Sequence, residues 1–495
     1  MDSKNKNGIL LFVLLAGMFV NLLNVSTINV MLPKIMVQFQ ISAAAAQWLS
    51  TGFMLAAGIV ITLVPFLTKK FQAKTLFNAA MIFLVAGSFL CFISPAFPCL
   101  LIGRLIQSFG YGLLLPLAMV LVLAITPPEK RGVNMGILGV GMLLAPAVGP
   151  TLAGIAINFF SWKYLFLIIA LVGVLVLVFS SLKFHYQSKL QAARADIIGI
   201  ILAATGISSL LYGISLAGNS GGQRSGGIAL IAAGIILLAA FVFVELKRKN
   251  PLLDLRVFQD YNFTANLMVT MVLQMAFYGG LILMPLYFEN VRGYSGLNTG
   301  LLLLPGSLLI GIMGILAGKL YDKIGIKPLA IAGTLIMAAA AVPLARLTPD
   351  TFYLQPLLAY TLFALGVSLV TTPITTAAFA KVPKEQNSDA ATLQNTLRQV
   401  AGSIGTVILI TVMSNSAKGF TQNIGNAANQ QTAILAANHG IHTAFSLTIG
   451  LCLLAAVMSL FLVSKKQLTK NEPIILGLKR NKSTGPMPNL SGFSR

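Results

Sequence analysis

A few polar side chains interrupt long apolar stretches of the chain, and their types suggest binding rather than catalysis. Asn24 and Asn29 stand among aliphatic residues in NLLNVSTINVMLP (21–33), and Arg104 and Gln107 lie one helical turn apart in another apolar run. In a bilayer, a buried cation costs about 2.5–3.5 kcal/mol on insertion scales, so Arg104 is expected to face a cavity and to pair with Gln107 or another polar group. Alternatively, it lies near the outer end of its span and extends its charge to the interface.

Groups suited to catalysis, redox chemistry or metal binding are scarce in this sequence. There is no phosphate-binding G-x-x-x-x-G-K-[ST] loop, no Ser–His–acid set, and the odd number of cysteines has no metal-ligand spacing. The histidines and cysteines are His185, His439, His442, Cys91, Cys99 and Cys452. We therefore expect no enzyme, no cofactor and no metal site.

The elements that carry the polar residues are predicted to be membrane-spanning helices. The chain is 57% hydrophobic and 9% charged, with a mean hydropathy of +0.86, whereas a soluble domain carries about 25% charged residues. A helix needs about 20 apolar residues to cross the bilayer, and barrel strands are only about 10 residues long. The uncharged runs are 7–33, 35–68, 75–103, 105–128, 132–162, 164–182, 197–223, 225–244, 261–288, 293–318, 328–345, 351–380, 399–417 and 419–464. They predict an all-α membrane protein with fourteen transmembrane helices.

The positions of Lys and Arg predict how the chain is oriented. With fourteen spans and a cytoplasmic N-terminus, 27 of them fall in inner segments, Arg398 among these, six fall in outer loops, and Arg104 lies inside a span. This bias follows the positive-inside rule, so both termini of this multi-pass protein are expected in the cytoplasm. The net charge of +22 is assigned to loops facing anionic lipid of the bilayer, and not to a nucleic-acid surface.

The order of the runs predicts two halves separated by a linker. Residues 1–190 form an N-terminal six-helix half, 191–250 two extra linker helices, 251–464 a C-terminal six-helix half, and 465–495 a basic tail predicted to be disordered. The loop PFLTKKFQAKTLF of the first half corresponds in position to GKLYDKIGIKPLA of the second. Pseudo-symmetric six-span halves around a site near the bilayer midplane are typical of transporters.

Several short motifs follow one another along the predicted spans. They are NVSTINVMLPKI, QWLSTGFML with Trp48 as its aromatic residue, GRLIQSFGYGLLLP, APAVGPTLAG followed by SWKYLF, NPLLDLRVF, GYSGLNTGLLLLP and QNTLRQVAGSIG. In this order they resemble the major facilitator superfamily and, within it, the fourteen-span drug:proton antiporter family of bacteria, over about residues 20–460. The resemblance implies a monomeric antiporter of the bacterial plasma membrane that exports hydrophobic small molecules by alternating access, as in multidrug efflux and antibiotic resistance, with protons as the coupling ion.

Small residues and prolines mark a predicted hinge in the fifth span, GILGVGMLLAPAVGPTLAG. Small residues allow helices to approach closely, and proline removes a backbone hydrogen bond and kinks a helix. The alternative is ordinary tight packing. The predicted hinge residues are Gly141, Pro146, Gly149, Pro150 and Gly154.

The inner loop of the second half carries a further set of predicted gating residues, Gly318, Asp322 and Gly325. Asp322 is expected to cap or latch neighbouring helix ends when the inner gate shuts. The first-half loop departs from the family pattern, because Pro65 stands where the family has Gly and Lys69 where it has Asp. We therefore expect a latch in the second half only.

The amide of Asn24 stands where the antiporter family usually has an acid. A carboxylate can bind a proton and attract a cationic drug, and an amide can do neither. Alternatively, Asn24 makes a hydrogen bond to a neighbouring helix, worth about 0.6 kcal/mol in membranes. No acid of the sequence falls near the centre of a predicted span, and Glu289 lies at the outer end of the ninth. We expect a neutral to positive cavity dominated by Arg104, which favours neutral, amphiphilic or anionic substrates. Proton coupling could move to Glu289, to His439 or His442, or be absent.

Two residues of the ninth span, Gln274 and Tyr278 in LQMAFYGG, are candidates for the substrate pocket. A buried amide needs partners, and aromatic side chains line apolar pockets, although they also face lipid or neighbouring helices. Two other functions stay open. One is a dedicated exporter of a lipid, siderophore or peptide-like metabolite with loose or no proton coupling, and the other is a transporter-derived sensor that binds its ligand without turnover.

Overall fold

The structure, a computed structural model, is all-helical. It describes residues 3–463 except 42, 128–129, 185, 187–189, 191–195, 219–223, 249–250, 252, 295 and 425–429. The helices are α1 (Ser3–Phe39), α2 (Ala43–Lys70), α3 (Ala73–Ile93), α4 (Phe97–Ile125), α5 (Arg131–Phe159), α6 (Lys163–Lys183), α7 (Ile197–Gly218), α8 (Arg224–Lys247), α9 (Tyr261–Leu286), α10 (Gly296–Ile324), α11 (Ile326–Leu344), α12 (Leu354–Ala378), α13 (Asn387–Ile424) and α14 (Gln430–Ser459). Helices satisfy every backbone polar group within one segment, as hydrocarbon requires.

Twelve helices are long and apolar enough, over their described residues, to cross a membrane. The described apolar part of α7 is the shorter stretch Ile198–Ile214, and α5 is not among the twelve. Apolar side chains such as Ile236 on α8 and Leu175 on α6 are about two-thirds exposed, as expected of surfaces that face lipid. The prediction of an all-helical membrane protein is confirmed, and the number of fourteen spans stays a prediction.

Helix packing groups the bundle into two sets with a pair of helices beside them. In the first set α3 packs against α4 and α6, α1 against α5, and α2 against α4. In the second, α11 packs against α12 and α14, α10 against α12, and α13 against α14. The two sets meet where α5 packs along α10 and α2 along α13, and α7, which pairs with α8, contacts both α2 and α13.

One end of the bundle is held shut by close helix contacts between the two sets. We call it the closed end, defined by Thr68, Gly132, Gly318 and Ser388. A Cβ added at Gly318 would collide with the backbone oxygen of Gly132, and the hydroxyls of Thr68 and Ser388 lie 2.9 Å apart. Small residues thus let α5 and α10 touch backbone to backbone, which gives close van der Waals packing in an apolar medium.

Helix α13 is longer than its uncharged run predicts, and as a result Arg398 lies inside a helix and not in a loop. The sequence places Arg398 in the loop before the thirteenth span, which starts at residue 399. The structure begins α13 at Asn387, so Arg398 lies about 17 Å along the helix axis at 1.5 Å per residue. The prediction was wrong because a run bounded by charges places every charged residue outside the span.

Candidate functional site

A cavity of about 380 Å³ lies between the two sets of helices. Helices α2, α4 and α7 line one side, and α9 and α13 line the other. On α2 the lining residues run from Ser50 to Leu55, near the start of the helix, whereas Thr68 of the closed end is near its last turn. The cavity is therefore offset from the closed end along the helix axes.

The wall that α13 contributes is polar. Asn395, Gln399 and Thr406 face the cavity beside Arg398 and Gly402, at spacings of three and four residues. This spacing places all of them on one helical face. Polar groups at membrane depth are costly unless they face water, a ligand or another polar group, so a polar face on α13 is consistent with a binding surface.

Arg398 gives the cavity its charge. None of the described lining residues is acidic, and Arg398 interacts electrostatically with Tyr111 of α4 and Tyr278 of α9. The Tyr278 ring packs closely against Gly402, where an added Cβ would lie 2.6 Å from Cε2 of the ring. The cavity is thus positive, as the sequence suggests, but the lining charge is Arg398 and not Arg104.

Arg104 lies outside the cavity, in a separate buried network. It is fully buried in α4, and its guanidinium lies 4.4 Å from the centre of the Phe53 ring. Its Nη1 donates to Oδ1 of Asn24 at 3.2 Å and to Oε1 of Gln107 at 2.9 Å. Gln107 in turn donates to the hydroxyl of Ser88 at 2.8 Å. The side chain is therefore anchored by groups of α1, α2 and α4 and is not exposed at the surface.

Asn24 acts in this network as an acceptor for the cation. Both its side-chain oxygen and its backbone oxygen accept from Arg104, the latter at 3.4 Å. Its Nδ2 has no hydrogen-bond partner among the described residues. An aspartate at residue 24 would offer Arg104 a carboxylate oxygen in the same place. Residue 24 therefore serves as a partner of Arg104, and it is not among the residues that line the cavity.

The other candidate binding residues are scattered. Gln274 and Tyr278 line the cavity. Trp48 is 39% exposed and lies against Tyr212 of α7, with ring centroids 5.3 Å apart. Glu289 is exposed in a single π-helical turn after α9. Asn29 lies on α1, and its side chain is outside the described residues.

The two histidines considered for coupling lie near the start of α14, away from the described cavity lining. The ring of His439 stacks on Phe420 with centroids 4.9 Å apart. His442 contacts the backbone oxygen of Leu347 and the side chain of Asn438. Both are thus engaged in contacts between helix ends.

Helix α5 runs as an unbroken α-helix through the predicted hinge. Gly149 packs against Ser26 of α1, and a Cβ at Gly141 would meet Leu15 of the same helix at 3.7 Å. Gly154 is half-buried on α5. The side chains of Pro146 and Pro150 lie outside the described residues. Gly141 and Gly149 therefore pack closely on α1 in this conformation.

The gating residues of the second half meet α5 at the closed end. Gly318 touches Gly132, and Oδ1 of Asp322 accepts a hydrogen bond from the backbone N–H of Gly132 at 3.2 Å. Gly325 precedes α11 with φ +81° and ψ −177°, a conformation essentially restricted to glycine. Asp322 therefore contacts the first turn of α5, whose exposed N–H groups favour an acid.

A second contact joins α2 to α13 at the closed end, where the sequence predicted none. Nζ of Lys69 lies 3.9 Å from Oδ2 of Asp389, next to the pair formed by Thr68 and Ser388. Oδ1 of Asp389 also accepts from the backbone N–H of Asp254, at 3.3 Å. The structure thus adds an ion pair between Lys69 and an acid of α13 at this end, and the latch in the second half stays a prediction.

The chain forms a bundle of two helix sets around a cavity lined by polar and apolar side chains, with contacts that shut one end, and this arrangement is typical of a membrane transporter. Over residues 14–406 the sequence matches the family model of the Major Facilitator Superfamily, and the chain belongs to that family. It is 40% identical to the uncharacterized MFS-type transporter YhcA of Bacillus subtilis, over 82% of this chain and 76% of that protein. It is 34% identical to the lincomycin resistance protein LmrB of Listeria monocytogenes, over 92% and 96%.

Solved structures show the same fold at low identity. The human organic anion transporter MFSD10 superposes with a TM-score of 0.64 at 13% identity, covering 92% of this chain and 99% of that one. The family model confirms the predicted superfamily, and relatives named for drug resistance are consistent with multidrug efflux. The fourteen-span antiporter subfamily stays a prediction.

Proposed function

We propose that this protein exports hydrophobic small molecules across the bacterial plasma membrane by alternating access. The observation that carries the proposal is the cavity between the two helix sets, offset from a closed end held by contacts of α5 with α10 and of α2 with α13. Breaking those contacts would open the same cavity toward the other side. The drug-resistance name of a relative that covers nearly the whole chain supports export as the direction.

The proposed topology places the closed end in the cytoplasm. The excess of Lys and Arg in the segments at that end supports this orientation, with both termini inside. We divide the chain into halves at 1–190 and 251–464, with linker helices at 191–250, which gives fourteen spans when α5 and α7 are counted. The close contact of α7 with α2 and α13 supports a linker that lies beside the cavity.

At Asn24, where the antiporter family usually has an acid, this chain has no carboxylate that could couple transport to protons. Asn24 accepts from Arg104, and no acid lines the cavity among the described residues. Glu289, exposed after α9, is the acid we assign to the coupling test. We expect Glu289→Gln to abolish gradient-driven accumulation if this residue carries the proton, and to leave it unchanged if export is uncoupled from Glu289.

Transport by purified protein in liposomes tests the proposed function. An imposed pH gradient is combined with cationic, neutral and anionic fluorescent compounds, and protein-free liposomes serve as the control. Accumulation of a compound above its equilibrium level supports active export. Protein-dependent equilibration alone would reduce the proposal to facilitated diffusion, and binding without any flux would support the sensor alternative.

A further inference from the structure

We propose that Arg398 is the anion-recognition residue of the central cavity, and that the cavity takes aromatic amphiphiles bearing a carboxylate. This inference rests on the proposed function insofar as the ligand is a transported substrate. It goes beyond that function because it names the chemical group and the residue that selects it. The juxtaposition that carries it is a guanidinium and two tyrosines that line the same cavity, together with apolar side chains of α2 and α7.

A purely structural role does not explain why an arginine stands at the position of Arg398. A cation at membrane depth is expected to pair with an acid or to serve a functional site. The described residues that line the cavity with it include amides, hydroxyls and tyrosines but no carboxylate. The positive charge is therefore balanced by no acid of the described cavity wall, and an anionic ligand would supply the balance.

Arg104 shows how an arginine with a structural role is held in this bundle. Arg104 is fully buried, stacks on Phe53 and donates to Leu49, Asn24 and Gln107. Arg398 is only partly buried and lines the open cavity. The guanidinium group has five N–H donors in a planar fork that matches a carboxylate in two parallel hydrogen bonds. At Arg398 this fork is placed where a ligand can reach it.

The surroundings of Arg398 fit a carboxylate joined to an aromatic body. Gly402 lies one turn further along α13, and its missing side chain leaves room for the Tyr278 ring, which lines the cavity together with Arg398. Tyr111 approaches from α4, so two phenol groups can donate to the same anion or stack on an attached ring. Leu55, Leu211 and Ile214 add an apolar surface to the same cavity.

The size of the cavity sets the scale of the ligand. Its volume of about 380 Å³ falls within the roughly 300–1,000 Å³ of typical small-molecule pockets. A naphthalene-sized body with a short acidic arm is therefore a suitable probe. Dansylglycine, dansylamide and dansylcadaverine share one fluorescent body and carry a carboxylate, a neutral amide and an amine.

Binding of these three probes to the full-length protein in lipid nanodiscs, followed by fluorescence polarisation, tests the proposal. We expect wild type to prefer dansylglycine, and Arg398→Gln to weaken dansylglycine binding by at least about tenfold, the loss of one charge-assisted interaction. Dansylamide binding should change little. Arg398→Lys keeps the charge but loses the fork, so an intermediate affinity is expected.

Lys418→Gln is the matched control, because it removes one positive charge from the exposed outer part of the same helix. It should leave all three affinities unchanged. If Arg398→Gln also loses the affinity for dansylamide, the binding preference of Arg398→Lys distinguishes the two explanations. A retained preference for dansylglycine in that variant supports the proposal, and loss of the preference overturns it.

Two results separate this inference from the proposed function. If wild type and Arg398→Gln bind the three probes alike, anion recognition by Arg398 is refuted, even when liposomes accumulate all three. If dansylglycine binding depends on Arg398 but liposomes show no protein-dependent flux, the assignment of Arg398 stands and export is refuted. Both measurements use the same protein preparation.

Discussion

Removing the side-chain acceptor of Asn24 should destabilise the bundle through Arg104. In Asn24→Leu the guanidinium loses the Oδ1 acceptor at 3.2 Å but keeps Gln107 at 2.9 Å and the backbone oxygen of Leu49 at 3.3 Å. A hydrogen bond to a charged group contributes about 1.5–3 kcal/mol. Since the remaining acceptors still satisfy part of the cation, we expect the low end of that range, about 1.5 kcal/mol.

A double-mutant cycle isolates this contribution. The free energies of unfolding of wild type, Asn24→Leu, Arg104→Met and the double variant are compared by titrating protein in mixed micelles with sodium dodecyl sulfate. We expect a coupling energy of about 1.5 kcal/mol, because replacing both partners leaves no buried donor without its acceptor. Gln274→Leu combined with Arg104→Met is the control pair, since Gln274 lines the cavity on α9.

The result that refutes this reasoning is additivity. If the Asn24 and Arg104 substitutions add to within about 0.5 kcal/mol, as distant sites do, Asn24 does not hold the cation. A coupling energy equally large in the Gln274 control pair would show that the Arg104 substitution acts on the whole bundle. Either outcome would leave the polar position on α1 without the role inferred for it.

Two further predictions concern the closed end. Gly318→Ala places a methyl group against the backbone of Gly132 and should cost about 1–3 kcal/mol in the free energy of unfolding by overpacking, whereas Gly419→Ala, with open space around it, should not destabilise the protein. Lys69→Asp should slow transport by setting two acids against each other on α2 and α13, and the charge swap of Lys69→Asp with Asp389→Lys should restore it. Transport in the swap no better than in Lys69→Asp alone would show that the pair does not act as a latch.

The helical architecture could be predicted from the sequence because hydrocarbon admits few alternatives. Long uncharged runs and the absence of period-two alternation define spanning helices without any knowledge of tertiary contacts. The pairing of Arg104 follows from the cost of an isolated charge in the bilayer. Its acceptor on α1, 80 residues away in the sequence, becomes identifiable only once the helices are packed.

The cavity was harder to predict from the sequence, because helices from both sets line it. Gln274 and Tyr278 are lining residues proposed from the sequence, whereas Arg398 was assigned to a loop because it is charged. A usable signal was present, since Asn395, Arg398 and Gly402 follow one another at helical spacing across the start of a long uncharged run. The partner of Lys69 lies 320 residues along the chain, and no local pattern marks it.

Cross-linking of the closed end tests alternating access most directly. Thr68 and Ser388 have hydroxyls 2.9 Å apart, so a Thr68→Cys, Ser388→Cys variant should form a disulfide on oxidation, with the half-buried Cys99 changed to serine in the same background. In liposomes we expect oxidation to stop transport and reduction to restore it. A variant that carries only one of the two introduced cysteines should be insensitive to both treatments. Transport at the full rate while the disulfide is intact would contradict the proposal that this end must open in every cycle.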